Sequence, residues 1–163
     1  MANYFDNIKN VPEHVVAESS RLKATTAGHI VDLKMTANTD NGSIVAIGAH
    51  VEGQVFEAAA YAEGKTPYLV LTPPLAYNGK KVWSDEKYFY NAKDEIARAY
   101  ELHVDDIYTV SAKAFDKAPE IGNFVGADYK VVAEAPATGF AGEVIEEVNY
   151  TNSTSYRVIV RSL

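Results

Sequence analysis

The chain has no cysteine, which removes any disulfide framework and every metal site that depends on thiolate. It has no apolar run approaching the roughly 20 residues that a membrane helix needs, so no membrane partner is expected. Positive charge is in deficit: 15 Lys and Arg against 22 Asp and Glu leave a formal net charge of −7. Nucleic-acid binding draws its affinity from clustered cations, so no nucleic-acid partner is expected either. The first ten residues are polar throughout and lack the apolar segment of a signal peptide, which implies a protein made in a cytoplasm and kept there, or released only by lysis. Catalytic signatures are missing too. There is no Gly-x-Ser-x-Gly elbow, no Gly-rich phosphate loop and no His-Glu-x-x-His, so neither an enzyme nor a cofactor is expected.

What is present is the material of a β fold. A chain of 163 residues that is 47% apolar and 23% charged is long enough and apolar enough to bury one core without staples. The organising stretch runs from Thr39 to Glu57. It opens on Asp40-Asn41-Gly42, a turn signal, and continues into Ser43-Ile44-Val45-Ala46-Ile47, whose unbroken apolar character suits a strand buried on both faces. Gly48 is expected to end that strand, and Gln54–Glu57 resumes an alternating pattern. Before it, Val31, Leu33 and Met35 alternate with Asp32 and Lys34, a half-exposed strand expected to pair with the run after the Asn41-Gly42 turn.

Further strands are read at Tyr68–Thr72, ended by Pro73-Pro74, and at Ile107–Ser111, Phe124-Val125, Tyr129–Ala133 and Tyr156–Val160. Residues 58–62 have the composition for a turn or two of helix, and Val144–Val148 reads as a strand or a helical turn. Asn91–Leu102 fits a capped helix or a strand, and the β run at Ile107–Ser111, expected to pair back with it, favours the strand. Short strands divided by Gly, Pro and Asn imply a mainly β sandwich or barrel-like domain over residues 29–163. Residues 1–28, with a few aromatic anchors and no hydrophobic face, read as an extended N-terminal arm.

Candidate chemistry is sparse. His14, His29, His50 and His103 stand singly among turns and strand starts, where imidazole is usually a surface or capping group, so no metal site is expected. Adjacent acids, Asp85-Glu86, Asp105-Asp106 and Glu143 with Glu146-Glu147, read as solvated pairs rather than a glycosidase dyad. Asn38–Gly42 partly resembles a calcium loop but lacks its distal Glu and reads as a turn. Amphipathic aromatics are better candidates for contact with a partner: Tyr4, Phe5 and Ile8 on the arm, and Trp83, Tyr88 and Tyr90 further on.

The polar arm with Ser19-Ser20-Arg21-Leu22-Lys23, the Asp40-Asn41-Gly42 turn, Val55-Phe56-Glu57, Leu69-Val70-Leu71-Thr72-Pro73-Pro74, Tyr90-Asn91-Ala92-Lys93 and Ala97–Leu102 together resemble small structural proteins of tailed-bacteriophage heads. These are capsid decoration, cement or head-fibre base proteins. The resemblance implies a virion protein on the capsid exterior, present in the host cytoplasm during assembly, with the major capsid protein as partner and a homo-oligomeric state. The alternative is a carbohydrate-binding or host-surface adhesin module built on the aromatic patch around Trp83.

Overall fold

The computed structural model describes residues 11–74 and 86–163. Of the expected contact residues, Tyr4, Phe5, Ile8 and Trp83 lie outside this range. The fold is mainly β and has two layers. One is a closed five-stranded barrel in the order β2-β4-β3-β5-β6; the other is a six-stranded sheet in the order β1-β7-β11-β10-β8-β9. The barrel strands are β2 (Ile30–Lys34), β3 (Ile44–Glu52), β4 (Val55–Ala60), β5 (Tyr68–Val70) and β6 (Ile96–Glu101). The sheet takes β1 (Ala17–Arg21), β7 (Ile107–Ser111), β8 (Phe124–Val125), β9 (Val131–Val132), β10 (Ala141–Tyr150) and β11 (Ser153–Ser162). One short helix, α1 (Lys23–Ala27), joins β1 to β2.

The side-chain period of two sorts residues between two cores. Leu33, Met35, Val45, Ala58, Tyr68, Val70, Ala97 and Ala99 fill the barrel. Three alanines among them fit an interior that five strands leave narrow. Ile44, Leu69 and Leu71 point out of the barrel wall into the second core, where they meet Tyr108, Val110, Val144, Val158 and Val160 from the sheet. This is why β3 and β5 read as unbroken apolar runs: Ile44 and Val45, and Leu69 and Val70, serve different cores. Each of these buried aliphatic side chains contributes about 1.5–3 kcal/mol relative to exposure. Val31, Leu33 and Met35 do share the inward face expected of them, with Asp32 exposed.

Several expectations about pairing are corrected. β2 does not form a hairpin with β3; it pairs in parallel with β4 and antiparallel with β6. The Asp40–Ser43 turn therefore redirects the chain across the barrel instead of folding it back on β2. Gly48 does not end β3, which continues to Glu52 with register shifts on either side of His50, and the reversal comes at Gly53 with φ 53°. Gly48 is needed there because a Cβ would sit 3.0 Å from the Glu57 carbonyl oxygen. Residues 58–60 continue β4 and are not helical. The segment 96–101 is a strand, but β7 does not pair back with it; β7 lies between β1 and β11 in the other layer.

Residues 17–27, expected in an extended arm, instead form β1 and α1. Val16, Leu22 and Ala24 are buried, and β1 pairs with β7 along its length. Its side chains from Glu18 to Arg21 face water, so the segment shows no hydrophobic period even though its backbone is part of the sheet.

The two layers meet at Gly42. A bond from Ser43 N–H to the Asp40 carbonyl, 3.3 Å, closes the turn, and Gly42 takes φ 88°, the third-position conformation that favours glycine. A Cβ on Gly42 would lie 3.0 Å from Ala17 Cβ and 3.1 Å from Val110 Cγ2. Replacing Gly42 with Ala thus combines a strained φ with overpacking. Gly28, with φ 74° and nothing within 4 Å of a built Cβ, isolates the first effect. In urea titrations, Gly28→Ala should cost about 1–2 kcal/mol, and Gly42→Ala a further ~1–3 kcal/mol. Equal losses at the two positions would contradict close packing at this junction.

Candidate functional site

The turn at Asp40–Gly42 is locked to four other segments of the chain. Asp40 accepts from His14 Nδ1 at 2.7 Å through one carboxylate oxygen and from the Val15 backbone N–H at 3.0 Å through the other. Asn41 is buried, and its side-chain amide pairs with both backbone groups of Thr72: Nδ2–H donates to Thr72 O at 2.9 Å, and Oδ1 accepts from Thr72 N–H at 3.0 Å. The buried Asn91 adds a third bond, donating from Nδ2 to Asn41 Oδ1 at 3.1 Å. Asn91 and Thr39 also exchange both backbone bonds, at 2.8 and 2.9 Å. As a sequence feature Asn41 reads as a turn residue tolerant of positive φ. In the structure Gly42 takes that conformation, and Asn41 serves as a strand-like splint.

The Gly42 carbonyl accepts from the Tyr129 hydroxyl at 2.6 Å. Tyr129 has one proton to give, so its oxygen is left to accept from Tyr108, 3.3 Å away. Burial pushes both phenols upward in pKa, because a phenolate in this apolar layer would lose its hydration.

Tyr88 and Tyr90 are half-buried. Tyr88 closes a single 3-10 turn, Glu86–Tyr88. The Tyr90 ring lies 4.8 Å from the His14 imidazole, tilted by 32°. The His14 backbone N–H also donates to the Lys87 carbonyl at 2.6 Å, so residues 86–90 are fastened to the chain entering β1. The structure therefore brings Tyr90 to the locked turn through His14.

Beside them is an open cleft of about 250 Å³ whose lining includes Val16, Glu18, Thr72, Pro73, Glu86 and Tyr150. Glu86 Oε2 is buried there without a hydrogen-bond partner, and Tyr150 donates weakly to Oε1 at 3.5 Å. Desolvation first, then the charges of Glu86 and Glu18, push the Tyr150 phenol up to about 12.

Two expectations about charged residues are corrected. Asp106 does not face water; it is buried and accepts from the backbone N–H groups of Lys23 at 2.9 Å and His103 at 2.8 Å. These bonds shape the loop that carries the chain from the barrel into β7. The histidines are not all isolated either. His29, at the entrance to β2, and His103, just beyond β6, flank Glu101, with Nδ1 of His29 3.0 Å from Oε2 and Nε2 of His103 3.1 Å from Oε1. Glu101 and His103 stand two residues apart in the chain, and the antiparallel register of β2 with β6 brings the distant His29 to them, which spacing in the sequence does not reveal. By contrast Glu146 does face solvent, paired across the strands with Arg157, and the half-buried Glu143 pairs with Arg161.

No family model matches this chain. Neither a curated protein nor a solved structure is significantly similar to it.

The tyrosines set an alkaline limit on the fold. Tyr108, Tyr129 and Tyr150 hold their protons in the folded state, whereas an unfolded tyrosine releases its own near pH 10. Their contribution to stability is complete below about pH 10 and is lost as pH rises towards the raised folded values. Melting temperature should be flat through mildly alkaline pH and fall above about 10, with part of the tyrosinate absorbance appearing only on unfolding. Complete titration of all eleven tyrosines near pH 10 in a folded protein would contradict this.

Proposed function

We propose that this chain is a structural protein of a tailed-phage head, bound to the outside of the capsid shell, which it stabilises through protein–protein contacts. The observation that carries the reading is the locked turn at Asp40–Gly42, which fastens a filled barrel to a filled sheet in one body with its edges outward. A cement protein needs stiffness under load and surface to offer, not a reaction chamber. The cleft beside Glu86 is open, and the buried polar groups around Asn41 are spent on internal bonds.

Supporting features lie on the surface. β1 and β9 form the two edges of the sheet, and Ile121 and Val132, on the β8–β9 side, are exposed apolar residues of a kind that contact surfaces use. Tyr88 and Tyr90 present half-buried rings from a segment pinned at its base, which limits the ordering cost of binding. The partner is the major capsid protein, and many modest contacts repeated over a symmetric lattice give strong retention. Glycan binding through Trp83 is the competing reading.

The test is the composition of particles. Tailed-phage virions purified from cells making this protein should contain it at a fixed ratio to the major capsid protein that matches a symmetry position of the shell, and it should be open to antibody on intact particles. Its absence from purified virions, or a variable trace amount, would overturn the proposal.

A further inference from the structure

The geometry points to a divalent metal site of the zinc class at His29, Glu101 and His103, independent of the reading above. We infer that this trio binds a first-row transition ion through two imidazole nitrogens and one carboxylate oxygen, with a fourth position open to solvent or to a donor from outside.

The ligand atoms are close to where such an ion needs them. Nitrogen and oxygen donors about 2.0–2.2 Å from a tetrahedral centre stand about 3.3 Å from one another. Glu101 Oε2 is 3.0 Å from His29 Nδ1, and Oε1 is 3.1 Å from His103 Nε2. One donor atom from each of the three residues can be chosen so that all lie within 4.8 Å of one another. His29 is the exposed member of the trio, free to turn its ring, and the backbone beneath it is held by Glu101 N–H donating to the His29 carbonyl at 3.1 Å. The rings of His29 and His103 already face the same carboxylate, with centroids 5.7 Å apart.

A second observation points the same way. His103 Nδ1, the nitrogen turned away from Glu101, is buried and has no hydrogen-bond partner. It looks towards Oδ2 of Asp106 at 3.7 Å. That carboxylate is itself fully buried and fixed by two backbone N–H groups. An imidazole that offers one nitrogen to a metal and turns its other N–H towards a held carboxylate is the recurring arrangement that sets tautomer and ring direction at zinc sites. A short approach of Nδ1–H to Asp106 would give the orphaned nitrogen its partner and leave Nε2 as the metal donor. Imidazole favours zinc, nickel, copper and cobalt over calcium and magnesium, which prefer all-oxygen shells.

The test is a titration of the full chain, stripped with chelator, with Co²⁺ followed by visible absorption and with Zn²⁺ followed by calorimetry. The proposal expects saturable binding of one ion and a cobalt spectrum of low coordination number. It expects affinity to fall more than about tenfold in His29→Ala and in Glu101→Gln, by analogy with losses at other metal sites. His50→Ala, altered at a histidine elsewhere on the barrel, should bind as the parent does. Circular dichroism of each variant in chelator should match the parent, because His29 is exposed and Glu101 partly so. Absence of saturable binding to the parent, or binding that His29→Ala leaves unchanged, or a loss as large in His50→Ala, would overturn the assignment.

Discussion

The close approach of Gly42 to β1 and β7 is the constraint on which the rest of this structure depends. A barrel and a sheet have separate interiors, and apolar contact between their outer surfaces is non-directional, so it does not by itself fix how they sit. The turn at Asp40–Gly42 supplies the direction. Gly42 brings its backbone against Ala17 and Val110, donates its N–H to the Val70 carbonyl at 2.8 Å within the barrel, and gives its own carbonyl to Tyr129 on the sheet side. One residue thus carries a bond to each layer. Asn41 beside it ties the turn to Thr72, and Asp40 ties it to His14 and Val15.

The bonds made by Asn91 to Asn41 and by Tyr129 to Gly42 are buried and the others partly so, which makes the loss of the buried ones more costly than their presence is beneficial. A buried amide such as Asn41 adds little net stability while satisfied, but stranding its partners costs about 1–3 kcal/mol. The network therefore acts as a specification: it penalises any packing of barrel on sheet in which Thr72, Asn91 and Tyr129 miss the turn. A body specified in this way keeps its outer surfaces in fixed relation, which is the property a capsid-bound contact protein would use.

How much of this can be read in the sequence depends on the range of the interaction. Alternation in Val31–Met35 and the unbroken runs at Ile44–Ala46 and Tyr68–Val70 announce strands because period and burial are local, and the mainly β class follows from them. Partner choice is not local. β2 chooses β4 and β6 because closing the barrel satisfies both its edges, and no pattern within Val31–Met35 says so. The β10–β11 reversal falls at Thr151-Asn152, both at positive φ, 51° and 56°; the sequence shows a turn-rich stretch there, but a β-branched residue in that conformation is not anticipated. The candidate sites follow the same rule. Asn41 is visible as a turn residue and invisible as a splint, because Thr72 and Asn91 are distant in the chain. His29 becomes a neighbour of Glu101 and His103 only through the register of β2 with β6.

A capsid-bound contact protein needs barrel and sheet to behave as one body. Native-state hydrogen exchange across a urea series measures that directly, through the opening free energies of barrel amides such as Leu33 and Val70 and sheet amides such as Tyr108 and Val158. If the turn at Gly42 couples the layers, the slowest amides of both should merge into a single unfolding isotherm with the same free energy and the same denaturant dependence. Two separate isotherms, with the barrel opening while the sheet stays protected or the reverse, would contradict the account.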